Sequence, residues 1–274
     1  MANIAQFNSV LFNAWASGKS IAGTKDLVIF NGFGLLNETY VTTRLNVRNM
    51  PSINLLQVSN PKSDWGILLD RFYKDRSITI EGHIRAENYE EMQKKIDALK
   101  KAIATKQGYF EFKFWDTYRR ILCTLANSDI ISREHYDIDH GKFTLTFRAE
   151  KPFWSEKQRG SVLFQGVNDE INGDVFNEGS EYSEPIINIL VNSASGASEL
   201  SIAVGKEAIK IAKNLNANDI IDINTEEKTV VINGQPTDFS GKFPKLQAGL
   251  NILNLKANGN YNLDVSVLFP KNFL

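Results

Sequence analysis

RSITIEGHI at residues 76–84, NYEEMQKKIDALKKAIATK at 88–106, GYFEFKFW at 108–115 and GKFTLTFRAE at 141–150 decide how this chain folds. Successive side chains of a strand point to opposite faces, so Ile78, Ile80 and Ile84 share one face of the first run. In the third run Phe110, Phe112 and Phe114 face one way, and Tyr109, Glu111, Lys113 and Trp115 face the other. Phe143, Leu145, Phe147 and Ala149 repeat the pattern in the last run. Strict alternation of this kind marks antiparallel strands with one buried face. The second run has a different period. Tyr89, Met92, Ile96, Leu99 and Ile103 recur at spacings of 3 and 4, which lines them up on one stripe of a helix. The helix is expected over 89–106, with Asn88 as N-cap, Glu91 completing a capping box and Gly108 placed to stop it. Glu90 and Glu91 in the first turn and Lys100, Lys101 and Lys106 near the end suit the helix dipole. One apolar stripe and a charged outer face predict one-sided packing of this helix on a sheet.

Working outward, residues 1–75 are less regular, with strands expected near 27–33, 40–47 and 53–58 and loops at the glycines and prolines between them. After Trp154 the polar run SEKQRG reads as a domain exit, because Pro152 cannot continue a ladder. The polar, glycine-containing stretch through NEGSEYSEP extends that linker over 156–184. From Pro185 onward IINIL, LSIAV, AIKIA, DIIDI, TVVING, NILNLK and YNLDVSVLF follow one another with no helical period. Asn233-Gly234 is a tight-turn pair, and Asn224–Lys228 forms another turn between apolar runs. Short strands at this spacing predict an antiparallel β-sandwich. The expected organisation is therefore a mainly β chain, with a helix-bearing β domain over 1–155, a linker over 156–184 and a sandwich over 185–274. The length of 274 residues agrees with two domains.

Composition narrows the chemistry. A net charge of −1 argues against a general nucleic-acid binder, which carries a basic excess. The N-terminal MANIAQFNSVLFNAW lacks the basic start and long apolar run of a signal peptide, and no segment is apolar for long enough to span a membrane as a helix. The single cysteine, Cys123, alternates with Ile121 and Leu125 in RILCTL and reads as a buried small hydrophobe. His135, Asp137, Asp139 and His140 form the best metal candidate, yet no second ligand cluster accompanies them, and a solvated strand face ending at Gly141 explains them as well. His83 falls opposite Ile80 and Ile84, a surface or interface position. Asn31–Gly34 contains a GxG without a βαβ context and is read as a loop. Glu90-Glu91 and Glu226-Glu227 lie on a helix surface and a turn. Trp65, Tyr73, Tyr109, Trp115, Tyr118 and Trp154 suit either sugar stacking or core and subunit interfaces, where aromatic residues are enriched. Val162–Gly166 reads VLFQG, like a viral-protease site, and is taken as coincidence in the linker. Neither a catalytic set nor a cofactor motif emerges.

The ordered set Arg76, Ile78, Ile80, Gly82, Ile84, then the helix Met92–Ile103, the aromatic strand Gly108–Trp115 and the segment Phe143–Trp154 resembles the distal tail protein of long-tailed siphophages. In the second half DIIDINTEEKTVVING and FPKLQAGLNILNLK are similar to that family's C-terminal domain. The resemblance covers roughly residue 25 to the end. It implies an N-terminal β-sandwich-like domain with one helix that assembles into a hexameric ring, and a galectin-like C-terminal sandwich outside it. It implies a virion protein at the tail tip, made in the bacterial host cytoplasm. Its partners would be the tail tube, tape-measure and tail-associated tip proteins, with receptor-binding proteins attached around the ring and a channel left for DNA. Two other functions compete, a carbohydrate-binding module and a cell-wall hydrolase. The first is weakened because residues 185–274 hold no Trp, His or Arg, and the second because no nucleophile, metal set or cleft acid emerges.

Overall fold

The isoleucine and phenylalanine alternations fold as one antiparallel sheet. The computed structural model describes residues 27–47, 49–59, 66–114, 117–131 and 140–274. The chain divides into two units, Met1–Trp154 with Leu274, and Ser155–Phe273.

The first unit carries β1 (Leu27–Phe30), β2 (Phe33–Gly34), β3 (Tyr40–Leu45), β4 (Ile53–Ser59), β5 (Gly66–Tyr73) and β6 (Arg76–Arg85). Helix α1 (Tyr89–Ile103), β7 (Gly108–Phe114), β8 (Thr117–Ile131) and β9 (His140–Ala149) follow. The sheet runs in the order β2-β1-β7-β8-β9-β6-β3, while β4 and β5 pair only with each other. Register places Ile78 opposite Phe147 and Ile80 opposite Leu145, so the two alternations meet on one face. Ile78, Ile80, Ile84, Phe110, Phe143, Leu145 and Phe147 are all fully buried. Phe147 lies 4.5 Å from Phe30 and 5.5 Å from Phe110, ring centre to ring centre, and joins three strands in one aromatic core. Gly82 faces Phe143 directly across the ladder. A Cβ there would sit 2.5 Å from the Phe143 ring and 2.6 Å from the Val41 carbonyl oxygen, so the position admits no side chain without displacement.

Helix α1 buries Met92, Ile96, Leu99 and Ile103, four of the five expected stripe residues. Tyr89 stays 58% exposed, because the first turn has only just reached the sheet. The Asn88 side chain accepts a hydrogen bond from the Glu91 N–H at 2.9 Å. The Glu91 carboxylate accepts from the Glu87 N–H at 2.7 Å, one residue upstream of the reciprocal bond that a capping box makes. The helix ends at Ile103, short of Lys106, with the Ala104 N–H donating to the Lys100 carbonyl. Gly108 is therefore not the stop; it opens β7 and lies against Phe30, whose ring would be 3.0 Å from a Cβ.

The chain passes between units at the two-residue strand β10 (Trp154–Ser155). The second unit contains β11 (Gly160–Val167), β12 (Ile171–Asn177), β13 (Ile186–Ser195), β14 (Leu200–Val204), β15 (Glu207–Ile211) and β16 (Ile220–Asn224). It continues with β17 (Thr229–Ile232), β18 (Gln235–Pro236), β19 (Ser240–Gly241), β20 (Gly249–Ala257), β21 (Asn260–Phe269) and β22 (Asn272–Phe273). Two sheets, β11-β21-β13-β16-β17-β18 and β12-β20-β14-β15-β19, enclose a core of Ile, Leu and Val. Ile187, Ile189, Val265 and Val267 contribute from one sheet, and Leu200, Ile202, Leu253 and Leu255 from the other. The expected turns are present. Asn233 and Gly234 take φ of 52° and 77°, and the Asn233 side chain accepts from the Ile220 N–H at 2.9 Å. The Asn224 carboxamide accepts from the Glu226 and Glu227 N–H groups at 3.1 Å each.

The expected linker over 156–184 is corrected. Its residues form β11 and β12, one in each sheet of the sandwich. Both are edge strands with one face in solvent, and this gives them a polar, glycine-containing composition that imitates a linker.

Candidate assembly interface

β4 (INLLQVS) and β5 (GILLDRFY) form a ribbon whose large side chains do not find a core. Directly opposed residues of an antiparallel pair lie on the same face. Register sets Ile53 opposite Tyr73, Leu55 opposite Arg71 and Gln57 opposite Leu68 on one face. Asn54 opposite Phe72 and Leu56 opposite Asp70 lie on the other, with Val58 following on that face. The register shifts between Leu56 and Gln57, which leaves Leu69 as the extra residue of a bulge. Leu55 is 55% exposed, Leu68 55%, Leu69 57% and Phe72 54%. Ile53, Leu56 and Val58 are exposed as well. The base of the ribbon is fixed: the Lys74 N–H donates to the Ser52 carbonyl at 2.8 Å, and Tyr73 meets Phe153 edge-on at 5.5 Å. A lone two-stranded ribbon is marginal in water. One that is apolar on both faces needs partners on both. Isolated apolar residues on a surface are ordinary, but a contiguous apolar patch marks an interaction site.

The sequence did not single out this ribbon. β4 was expected and β5 was not, because GILLDRFY places Ile67, Leu68 and Leu69 in succession rather than in alternation. The available signal was that run of apolar residues with no amphipathic period.

The other candidate residues do not converge. Cys123 is buried, and burial pushes its thiol up to about 12, so it is no nucleophile at neutral pH. His83 lies on the half-exposed face of β6, opposite Lys142 in register. Asn31 and Gly32, with φ of 48° and 82°, form the two-residue turn joining β1 to β2, so the GxG is hairpin chemistry. Val162–Gly166 belongs to β11. Trp154 is buried against Phe112 at 4.8 Å, and the Arg76 guanidinium stacks over its ring at 5.3 Å. Burial lowers Arg76 to about 10, which still leaves it cationic at neutral pH, and its Nη1 donates to the Val47 carbonyl. Tyr109 lies half-exposed under Arg120 at 4.8 Å. Tyr118 is pushed up to about 12 by burial and then by the Glu111 carboxylate beside it. Glu90 and Glu91 stay on the first turn of α1, where Glu91 pairs with Lys95 at 2.7 Å. The backbone of His140 opens β9, whereas His135, Asp137 and Asp139 lie outside the described residues, as do Trp65, Trp115 and the N-terminal MANIAQFNSVLFNAW. Among the described residues no three His, Cys, Asp or Glu side chains gather as metal ligands.

Residues 178–270 match the family model of the siphovirus-type tail component, C-terminal domain. The crystal structure of the Dit (gp 19.1) protein of phage SPP1, described as a paradigm of the hub adsorption apparatus in phages infecting Gram-positive hosts, shares the fold. Its TM-score is 0.69 at 14% identity, over 91% of this chain and 99% of that one. Two structures of the phage P2 baseplate in its activated conformation, with Ca and with Sr, match at TM-scores of 0.40 and 0.44 and 11% identity. They span 81% and 86% of this chain and 88% and 92% of those chains. No curated protein sequence matches.

Proposed function

We propose that this chain, whose residues 178–270 match the siphovirus-type tail component model and whose fold is shared with the SPP1 Dit protein over 91% of its length, is a structural hub at the distal end of a phage tail. In this reading its first unit closes into a ring, of six copies as the family resemblance implies, around a passage for DNA. The tail tube, tape-measure and tip proteins bind the ring. The protein works by surface complementarity and carries out no catalysis.

The ribbon β4–β5 carries this reading. A closed ring joins unlike surfaces of identical subunits, so each copy must offer an element that fits a different part of its neighbour. A separate two-stranded ribbon with exposed apolar side chains on both faces supplies such an element. Burying each large apolar side chain stabilises by about 1.5–3 kcal/mol before the entropy of association is subtracted. Leu55, Leu56, Leu68 and Phe72 together therefore provide a driving force that a single exposed leucine does not.

Negative-stain microscopy and light scattering test this on the full chain. The unaltered protein is expected to form rings. The triple variant Leu55→Ser, Leu68→Ser, Phe72→Ser should stay folded by circular dichroism and run as a monomer, because each of these side chains is more than half exposed. A natural protein that remains monomeric at high micromolar concentration refutes the reading. So does a triple variant that assembles as before.

A further inference from the structure

A sandwich of two open sheets has four lateral edges, and three of them are blunted. β18 is two residues long and ends in Pro236, which has no N–H to offer. β19 is two residues long and ends in Gly241 at φ 97°. β11 breaks register between Phe164 and Val167, where Gly166 takes φ 64° and its N–H is held by the Asp264 carboxylate at 2.8 Å. The fourth edge, β12, is different. Its seven residues keep unbroken register with β20 from Ile171–Leu255 to Asn177–Gly249, without bulge, proline or lysine.

The surface beside that edge is apolar and acidic. Phe176 is 60% exposed and stands opposite Leu250, 62% exposed; Ile252, opposite Asp174, is 54% exposed. Farther along the chain Glu178, Glu184 and Glu199 are paired with Lys271, with Lys228 and Lys245, and with Lys210, so the negative charge at the edge comes from the residues at the start and middle of β12. Asp169, Glu170 and Asp174 fall on β12 or just before it. Glu170 accepts a hydrogen bond from the Asn254 carboxamide of β20 at 2.7 Å, which leaves Asp174 as the charge in the middle of the edge.

We infer that the free edge of β12 receives an extended segment of another polypeptide as an added strand. Main-chain hydrogen bonds would supply the pairing. Directly opposed residues share a face, so Lys or Arg beside Asp174 and an apolar side chain beside Phe176 would both lie on the outward face of the added strand, the apolar one extending the patch that Phe176 forms with Leu250. A second copy of this chain is a poor occupant. Symmetric antiparallel pairing of β12 about its midpoint puts Asp174 against Asp174, and like charges directly opposed destabilise a ladder. The inference goes beyond the proposed hub and does not depend on ring formation.

The probe is a labelled nine-residue peptide in which every second residue alternates valine and lysine, with threonine between them, titrated into the full chain by fluorescence anisotropy. Binding is expected, at least tenfold weaker for a lysine–serine peptide of equal charge and for a glutamate–valine peptide of equal pattern. Asp174→Lys and Phe176→Ser, both at exposed positions, should each weaken the lysine–valine peptide at least tenfold. Hydrogen exchange should slow at Ile171–Asn177 on binding, and not along β11. The inference fails if the lysine–valine peptide does not bind, or binds no better than the lysine–serine one. It fails equally if the two variants bind as well as the natural chain, or if exchange at β12 is unchanged.

Discussion

Gly82→Ala isolates the steric logic of the first unit. Gly82 does not adopt the left-handed backbone that favours glycine, so alanine carries no conformational penalty there beyond the ordinary. The cost is one of space. The added methyl would lie 2.5 Å from Phe143 Cζ, 2.8 Å from Phe143 Cε1 and 2.6 Å from the Val41 carbonyl oxygen. The ring is fully buried, and the carbonyl belongs to β3, which pairs with β6 at Thr42–Gly82. Relief requires Phe143 to leave its place in the core and β3 to move outward. Overpacking of this kind costs about 1–3 kcal/mol, and a weakened ladder bond adds about 1 kcal/mol, so a loss of about 2–4 kcal/mol is expected. Trp154 is buried against Phe110 and Phe112 of the first unit, so tryptophan fluorescence during urea unfolding follows the loss of that core. Phe143→Leu withdraws the ring edge, so the double variant should lose at least 0.5 kcal/mol less than the summed single losses, within the usual ~0.5–3 kcal/mol for contacting residues. A loss below about 0.5 kcal/mol for Gly82→Ala, within the scatter of surface substitutions, would refute the close approach of these three strands.

Leu99→Ala should lower first-unit stability by about 2–5 kcal/mol in the same assay, because the side chain is fully buried on the stripe of α1; a loss below about 0.5 kcal/mol would mean that the helix turns another face to the sheet. Cys123 should resist thiol reagents in the native protein and react at once in urea. Burial holds its folded thiol at about 12, above the ordinary thiol value of 9.0. Between those values the unfolded chain has lost a proton that the native one keeps, so stability falls as pH rises through that window. Cys123→Ala should flatten the decline, and an equal slope in the variant would show that the thiol is not its source.

Much of the fold was legible because the core-forming segments obey one period each. Ile78, Ile80 and Ile84, Phe110 and Phe112 of β7, Phe143 and Phe147 of β9, and Met92, Ile96, Leu99 and Ile103 of α1 are buried as their spacing requires. What escaped the sequence was what faces solvent on an edge. β11 and β12 looked like a linker because an edge strand buries only alternate residues, and in INGDVFN one inward position is Gly173, lying under the Phe164 ring. β5 escaped because its apolar residues do not alternate, having no monomer core to alternate against. The C-terminal end of α1 falls earlier than expected although Ala104 and Lys106 are good helix formers, because the chain turns to bring Gly108 beside Phe30. The family-like order of residues was in the sequence, whereas the ribbon that would make assembly work needed coordinates.

Exposed apolar side chains are common on any protein, and what distinguishes a working surface is their neighbours. Leu163 stands opposite Ser266, and Phe239 turns its ring edge to Phe243 at 4.7 Å; neither belongs to a patch. Leu190 and Ile220 do form a cross-strand pair, but Leu190 is also opposite Asp264 and Ile220 adjoins Asp222, so charge interrupts the patch on both sides. Charge also enters the ribbon β4–β5, at Arg71 and Asp70, and the β12–β20 surface, at Asp174, but each keeps more exposed apolar side chains together: Ile53, Leu55, Leu56, Val58, Leu68, Leu69 and Phe72 on the ribbon, and Phe176, Leu250 and Ile252 on the other. They differ in character. The ribbon is apolar on two faces, which suits insertion between copies, while β12 is apolar on one outward face and acidic along its edge, which rejects a copy and favours a basic strand. Two chemically distinct surfaces on two separately packed units are what a hub requires, because one set of contacts must close on identical chains and the other must exclude them.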